Sequence, residues 1–424
     1  MRNVGEEGST LNRTSITRSA TSNSQNGSGV PFWPHVGPVL FLALIFCINF
    51  TSRIILSPLL PTVEKDLGIS HSQSGLFFLL ITAGYFAALL GSGFLSSWLT
   101  HKRTIILSSA SVGIALLGIS FTNSLWGIRL GLLSLGLASG LYLPSAIATI
   151  TSLVGSRHWG KAIAIHELAP NLAFVAAPLV SEVFLRWFSW RVVLTLLGGI
   201  SVFLSLAFGR FGRGGEFPGE TPASGSFRIF FREPSFWIMV ILFGLGITST
   251  MGIFAMLPLY LVIEREMDQS WVNTLVALSR VSGLGMAFVA GWASDRLGPK
   301  RTIAGSLLLT GITTVLLGIM PGLWVVVAVF LQPALAGCFF PAGFAALSEI
   351  GPASSRNVAV SLTVPIGMLL GAGAIPMFLG IMGDKGSFAL GFILVGVLIL
   401  TGAVLSFCLK LPSETSKRTR EGQL

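Results

Sequence analysis

The sequence predicts an all-α membrane protein, with twelve transmembrane helices arranged as two pseudo-symmetric six-helix bundles. Three observations carry that prediction. The 424 residues are 52% hydrophobic and only 10% charged, with a mean hydropathy of +0.80, whereas a soluble domain carries about 25% charged residues. Apolar runs recur along the chain at roughly 20 residues, the length that crosses ~30 Å of hydrocarbon as a helix. Short anchors also repeat at nearly constant spacing. Gly291 to Thr302 (GWASDRLGPKRT) has a worn copy 198 residues earlier at Gly93 to Thr104 (GFLSSWLTHKRT). Pro58 to Ser70 matches Pro258 to Ser270 at an offset of 200, and Gly140-x-x-x-Pro144 matches Gly337-x-x-x-Pro341 at 197. Duplication of a unit with an even number of spans gives parallel halves.

In chain order, residues 1–33 are rich in Ser, Thr, Asn and Gly and lack the apolar core of a signal peptide, so they read as a disordered cytoplasmic tail. Spans are expected at 36–60, 74–97, 104–122, 125–152, 160–182 and 190–209, forming the N-terminal bundle within 34–209. A linker follows at 210–235. Its glycine- and proline-rich part is a connector, and its Phe/Arg part, Ser226 to Arg232, suits a segment lying along the membrane surface. The C-terminal bundle occupies 236–410, with spans at 236–262, 271–293, 302–320, 322–349, 356–380 and 387–409, before a cytoplasmic tail at 411–424. Fifty glycines and twenty prolines suit membrane helices, where small residues permit close packing and neighbouring groups re-satisfy the backbone freed by proline.

The net charge of +10 does not point to nucleic acid, because the basic residues are dispersed among loops with no aromatic platform between them. An even number of spans puts both termini on one side. That side carries nineteen Lys and Arg, the other carries five (Lys65, Arg186, Arg191, Arg265 and Lys385), and Arg53, Arg129 and Arg280 fall within spans. The positive-inside rule therefore places both ends in the cytoplasm of a multi-pass protein of the inner or plasma membrane. Cys47, Cys338 and Cys408 all lie in apolar segments without metal or disulfide spacing. With no phosphate loop, metal cluster or nucleophile motif, neither an enzyme activity nor a cofactor is expected.

The motif Gly291-x-x-x-Asp295-Arg296-x-Gly298-x-Lys300-Arg301, its partial copy, the twelve spans and the glycine-rich fourth segment with Pro144 resemble a transporter of the major facilitator superfamily, over roughly residues 34 to 410. The resemblance implies alternating access between the two bundles, with Gly291, Asp295, Arg296, Gly298, Lys300 and Arg301 bracing the gate in one access state. The first copy departs from the pattern, with Ser97, Trp98 and Thr100 in place of Asp, Arg and Gly. In the fifth segment Ala173-x-x-Ala176-Ala177-Pro178 lacks the glycines of the family's antiporter motif, which speaks against antiport.

Ionisable residues inside spans are costly and therefore candidates for function. Arg53 lies about 10 Å from the end of the first span. Two readings are open: snorkelling to the interface, or facing the bundle as a fork for carboxylate or phosphate. Its surroundings, Asn49-Phe-Thr-Ser-Arg53, are similar to the first helix of the anion/cation symporter branch, with Ser52 in place of its Asp. Arg280 sits about 15 Å along the eighth span, near the midplane. Two forks from opposite halves suit an organic anion, dicarboxylates included. Glu167, about 10 Å from the cytoplasmic end of the fifth span, is the candidate proton carrier, with His166 as relay. The alternatives are a helix-bridging pair between Glu167 and an arginine, and a backbone hydrogen bond for His166. Arg129 reads as an interfacial residue. Asn49, Tyr142, Asn171, Tyr260 and Gln332 are polar groups at a depth that suits substrate binding. The expected function is monomeric, proton-coupled secondary transport of a small carboxylate-type anion, with substrate, H+ and the bilayer as partners. The alternatives are proton-linked efflux of drugs or lipophilic solutes, and a transport-inactive sensor.

Overall fold

The computed structural model describes residues 32–219, 232–350 and 356–410. The expected tails at 1–33 and 411–424 and the surface segment Ser226 to Arg232 lie, apart from their edge residues, outside these. Twelve long helices stand among the described residues. In the first half they are α1 Trp33–Leu67, α2 His71–Trp98, α3 His101–Phe121, α4 Leu125–Leu153, α5 Trp159–Leu185 and α6 Trp190–Phe211. In the second half they are α7 Pro234–Ile263, α8 Gln269–Leu297, α9 Pro299–Ile319, α10 Trp324–Leu347, α11 Ala359–Asp384 and α12 Phe388–Ser406. Eleven of them are identified among the described residues as long and apolar enough to cross a bilayer, and α8, 29 residues long, completes the twelve. It carries Asn273, Thr274, Ser279, Arg280 and Ser282 along its length, the polarity expected of a helix that lines a path rather than facing lipid.

Local chemistry sets the ends of these helices. Ser70 and Gln73 form a reciprocal capping box at the start of α2, and Asp268 accepts from the Trp271 N–H at the start of α8. Gly68 closes α1 at φ +61°, a left-handed conformation that costs a glycine little. The interruptions follow proline. Pro144 and Pro341 cannot donate to the carbonyls of Gly140 and Gly337, and α4 and α10 both break there, at Leu141 and at Gly337–Cys338. The repeat read at an offset of 197 is thus a repeated bend.

The pairings repeat as well. In the first half α3 packs on α6, α2 on α4 and α1 on α5; in the second, α9 packs on α12, α8 on α10 and α7 on α11. The halves meet along α1–α7, α2–α11 and α5–α8. Hydrogen bonds tie this seam at the end remote from the Gly291–Thr302 loop. Ser57 Oγ donates to the Phe254 carbonyl at 2.6 Å, an acceptor that Pro258, lacking an N–H four residues on, leaves free. Gln269 donates to the Pro58 carbonyl at 3.2 Å and receives Thr62 Oγ1 at 3.1 Å. Ser270 Oγ donates to Glu182 at 2.5 Å. Asp384 accepts from the backbone N–H groups of His71 and Ser72 at 2.8 and 3.0 Å, capping α2 from the other half. Here α2 and α11 approach backbone to backbone: a Cβ on Gly75 would stand 2.5 Å from the Pro376 carbonyl oxygen, and one on Gly380 would collide with the His71 carbonyl. The remote end is therefore closed. Toward the motif end the bundles leave the Glu167 side chain 48% exposed.

Candidate functional site

On α1, Phe46, Asn49, Phe50 and Arg53 share the face turned into the protein and all are buried. The Arg53 guanidinium lies between the rings of Phe50 and Tyr85, 4.7 and 4.4 Å from their centroids. Its Nε has no hydrogen-bond partner, and no carboxylate among the described residues forms an ion pair with it. It borders a small cavity at the seam, lined by Arg53, Phe78, Thr82 and Tyr85 from one half and Met251, Phe254, Met368 and Ala372 from the other.

Arg280 arrives from the opposite half. Its Nη2 donates to the Thr250 carbonyl at 3.1 Å and its Nε has no partner. That carbonyl belongs to a wide, π-type turn at Thr248–Gly252 within α7, a bulge that leaves carbonyls to be taken by side chains and that recurs at functional sites. The neighbouring Ser249 carbonyl accepts from Gln332 at 2.7 Å. Phe174 of α5 and Phe254 of α7 cover the guanidinium at 4.6 and 4.7 Å. Phe174 also meets Phe50 at 5.3 Å and Phe254 at 4.9 Å, so an unbroken aromatic wall joins the two arginines. The steps of 4.7, 5.3 and 4.6 Å through Phe50 and Phe174 bound their separation at about 15 Å.

His166 and Glu167 divide their roles by helix geometry, since neighbours on a helix point ~100° apart. His166 is fully buried, stacked on Phe46 at 4.5 Å, with Nε2 3.3 Å from the Tyr142 hydroxyl and Nδ1 3.2 Å from Glu167 Oε1. Glu167 therefore pairs with His166 and not with either arginine. Glu167, Asn171 and Phe174 fall on one stripe of α5, at i, i+4 and i+7. Phe174 meets Arg280 across the seam, so this stripe faces the interior. Asn171, which is exposed, donates to the Glu167 carbonyl at 3.3 Å.

The Major Facilitator Superfamily profile matches residues 42–289 and 266–424. The chain belongs to the Major Facilitator Superfamily. It is 25% identical over 341 residues to the uncharacterized MFS-type transporter YfkF of Bacillus subtilis (strain 168), covering 78% of this chain and 85% of that one. It is 23% identical over 304 residues to the probable sulfoacetate transporter SauU of Cupriavidus necator, covering 66% and 70%. Among solved structures, a bacterial homologue of the human lysosomal transporter Spinster, described as inward-facing and occupied, superposes with a TM-score of 0.78 at 16% identity, covering 90% of this chain and 97% of that one.

As a member of this superfamily the chain holds its loop motif at the turn between α8 and α9. Gly298 supplies a positive φ of +87° there, and Arg296 lies over the Trp292 ring at 5.3 Å. Lys300 reaches the Leu409 carbonyl at 2.8 Å beyond α12. Asp295 and Arg301 are exposed, Gly291 is half-buried, and Asp295 makes no ion pair among the described residues. The worn copy is held differently. The Lys102 and His101 N–H groups donate to the Gly215 and Phe217 carbonyls, and Lys102 Nζ meets Glu216 at 3.0 Å, so the chain leaving α6 straps the turn where the motif's Asp is missing.

Two expectations need correction. Tyr142 and Tyr260 are both fully buried, and their hydroxyls donate to the Leu42 and Leu317 carbonyls at 2.5 and 2.7 Å. Hydroxyls spent on backbone carbonyls inside a bundle are not free for substrate. Gln332 and Asn49 are likewise buried, holding the Ser249 and Ser139 carbonyls. Arg129 lies over Trp126 at 5.2 Å near the remote end of α4. The sequence reading missed Tyr85, Phe50, Phe174 and Phe254. The signal for Phe174 was its place one turn beyond Asn171 on the Glu167 stripe.

Proposed function

We propose that this chain is a proton-coupled symporter of a small organic anion, of carboxylate or sulfonate type, working by alternating access. One observation carries the reading. Two buried guanidiniums stand at the seam from opposite halves, each with an unpartnered Nε and no carboxylate ion pair among the described residues. Leaving a buried donor unsatisfied costs about 1–3 kcal/mol, and a buried unpaired charge costs more, so the arrangement is relieved when an anion enters. An anion with two charged ends, binding both forks, draws the halves together. The likeness to a probable sulfoacetate transporter supports this class, because sulfoacetate carries a sulfonate and a carboxylate.

The positive-inside count supports a cytoplasmic position for the motif end and both termini. The structure is then the inward-open state, with its extracellular side sealed. Glu167 opens onto the path. An ionised carboxylate there repels an anionic substrate, so a proton must accompany the anion. Protein in liposomes should accumulate sulfoacetate, succinate or benzoate when the outside is acidic, and a protonophore should abolish the accumulation. If no anion of this panel accumulates while lipophilic solutes are expelled, the protein is a proton-linked efflux carrier and the anion reading is wrong.

A further inference from the structure

We infer that Tyr142 is a positioning residue that fixes the tautomer of His166, so that the His166–Glu167 pair is complete only when it holds one added proton. The inference rests on the symport reading for its consequence, though not for its geometry. Tyr142 has a single O–H, and the Leu42 carbonyl accepts it at 2.5 Å. Toward His166 the hydroxyl therefore offers only lone pairs, and the 3.3 Å contact requires His166 Nε2 to carry the hydrogen. A neutral imidazole with hydrogen on Nε2 has a bare Nδ1, and that atom faces Glu167 Oε1 at 3.2 Å. Acceptor then meets acceptor. One proton resolves the conflict, whether it sits on Nδ1 or on the carboxyl oxygen. The Phe46 ring stacked on the imidazole at 4.5 Å, with Tyr142 nearly parallel at 5.9 Å, hinders the ring flip that would be the other escape.

The surroundings do not supply that proton by another route. Of the helices packed on α5, α4 presents Tyr142, α1 carries Arg53 and Cys47, α8 carries Arg280 behind Phe174, and α6 carries Arg191 and Arg210 near its ends. Tyr85 of α2 also lies within electrostatic range of Glu167, with Arg53 over its ring. His166 is the group in contact with the Glu167 carboxylate. The proton enters from water through the exposed Glu167, adds one positive charge to the pair, and leaves to water by the same carboxyl. When it leaves, the 3.2 Å contact becomes repulsive and Glu167 swings into the path, where its charge opposes the anion. Protonation thus sets the position of the carboxylate, and the pair counts one proton.

The test is 15N NMR of the full chain in lipid bilayers, labelled at histidine, with His166→Gln identifying the His166 signals. Across a pH titration the wild type should pass from a state with the added proton between Nδ1 and the carboxyl, seen as an imidazolium or as an Nε2–H ring with a hydrogen-bonded Nδ1, to the Nε2–H tautomer with a bare Nδ1, without a neutral Nδ1–H population. In Tyr142→Phe the Nε2–H loses its acceptor, Nδ1–H can donate to an ionised Glu167, and the Nδ1–H tautomer should appear. The protonation midpoint of the pair should then fall by about one pH unit. A neutral wild-type His166 in the Nδ1–H form, or a Tyr142→Phe spectrum and midpoint equal to wild type, overturns the inference. A tautomer lock that holds while sulfoacetate uptake ignores the proton gradient leaves the lock standing and removes the symport reading instead.

Discussion

Replacing Arg280 with Gln separates an arginine that binds substrate from one that holds the seam together. In the empty carrier the substitution removes one charged hydrogen bond to the Thr250 carbonyl, worth about 1.5–3 kcal/mol, and the contacts with Phe174 and Phe254, about 1–2 kcal/mol each. It also removes a buried charge, whose desolvation costs several kcal/mol, and an unpartnered Nε that costs about 1–3 kcal/mol. These terms nearly cancel, so the stability of the empty protein should change by no more than about 2 kcal/mol. Binding has no such compensation. Truncating one partner of a buried charge pair costs about 2–5 kcal/mol, or roughly 30- to 4,000-fold in affinity. Thermal unfolding of the purified protein, with and without sulfoacetate, reads both quantities. The expected result is an apo transition close to wild type and a ligand-induced shift that disappears. An unchanged ligand shift on a strongly destabilised protein would refute the reasoning and make Arg280 a structural residue.

Three further outcomes follow from the same geometry. Glu167→Gln cannot release a proton, so acid-driven accumulation of sulfoacetate in liposomes should be lost while slow exchange at equal pH continues; accumulation that persists rules out Glu167 as the coupling group. Gly75→Val places a Cβ 2.5 Å from the Pro376 carbonyl, an overpacking cost of about 1–3 kcal/mol borne only while the remote end is closed. Labelling of a cysteine introduced at that end should rise roughly 5- to 100-fold, and labelling equal to the parent shows that α2 and α11 separate elsewhere. Asp384→Ala removes the cap on α2 from the other half, about 1–2 kcal/mol, and should raise the same labelling roughly 5- to 30-fold; no rise means the cap does not restrain opening.

The architecture was legible because it is written in local patterns. Span length, the dispersion of Lys and Arg, and anchors at offsets of 197 to 200 need no knowledge of contacts. The fourth and fifth spans were harder to read, because each holds polar residues. Arg53 and Arg280 were legible, since a charge inside an apolar run stands out against its cost. Their aromatic brackets were not. The chain has 31 Phe, and a ring is equally at home in lipid, in a core or over a guanidinium. Tyr142 and Tyr260 were misread because a buried hydroxyl at a given depth is satisfied by substrate or by a carbonyl, and the carbonyls that take them belong to Leu42 and Leu317, on other helices.

By itself, then, the sequence determined the number of spans, the duplication, and the identity of the ionisable residues placed in hydrocarbon, because each is a property of one helix and its transfer into the bilayer. Tertiary structure alone decided which partners those residues have. It set His166 against Tyr142 and left its neighbour Glu167 open to the path. It brought Phe174 of one half over Arg280 of the other. It capped α2 with a carboxylate 313 residues away. Hydrogen bonds and ring contacts act over a few ångströms between helices whose packing no local pattern specifies, and that is where the proposed chemistry of this protein lies.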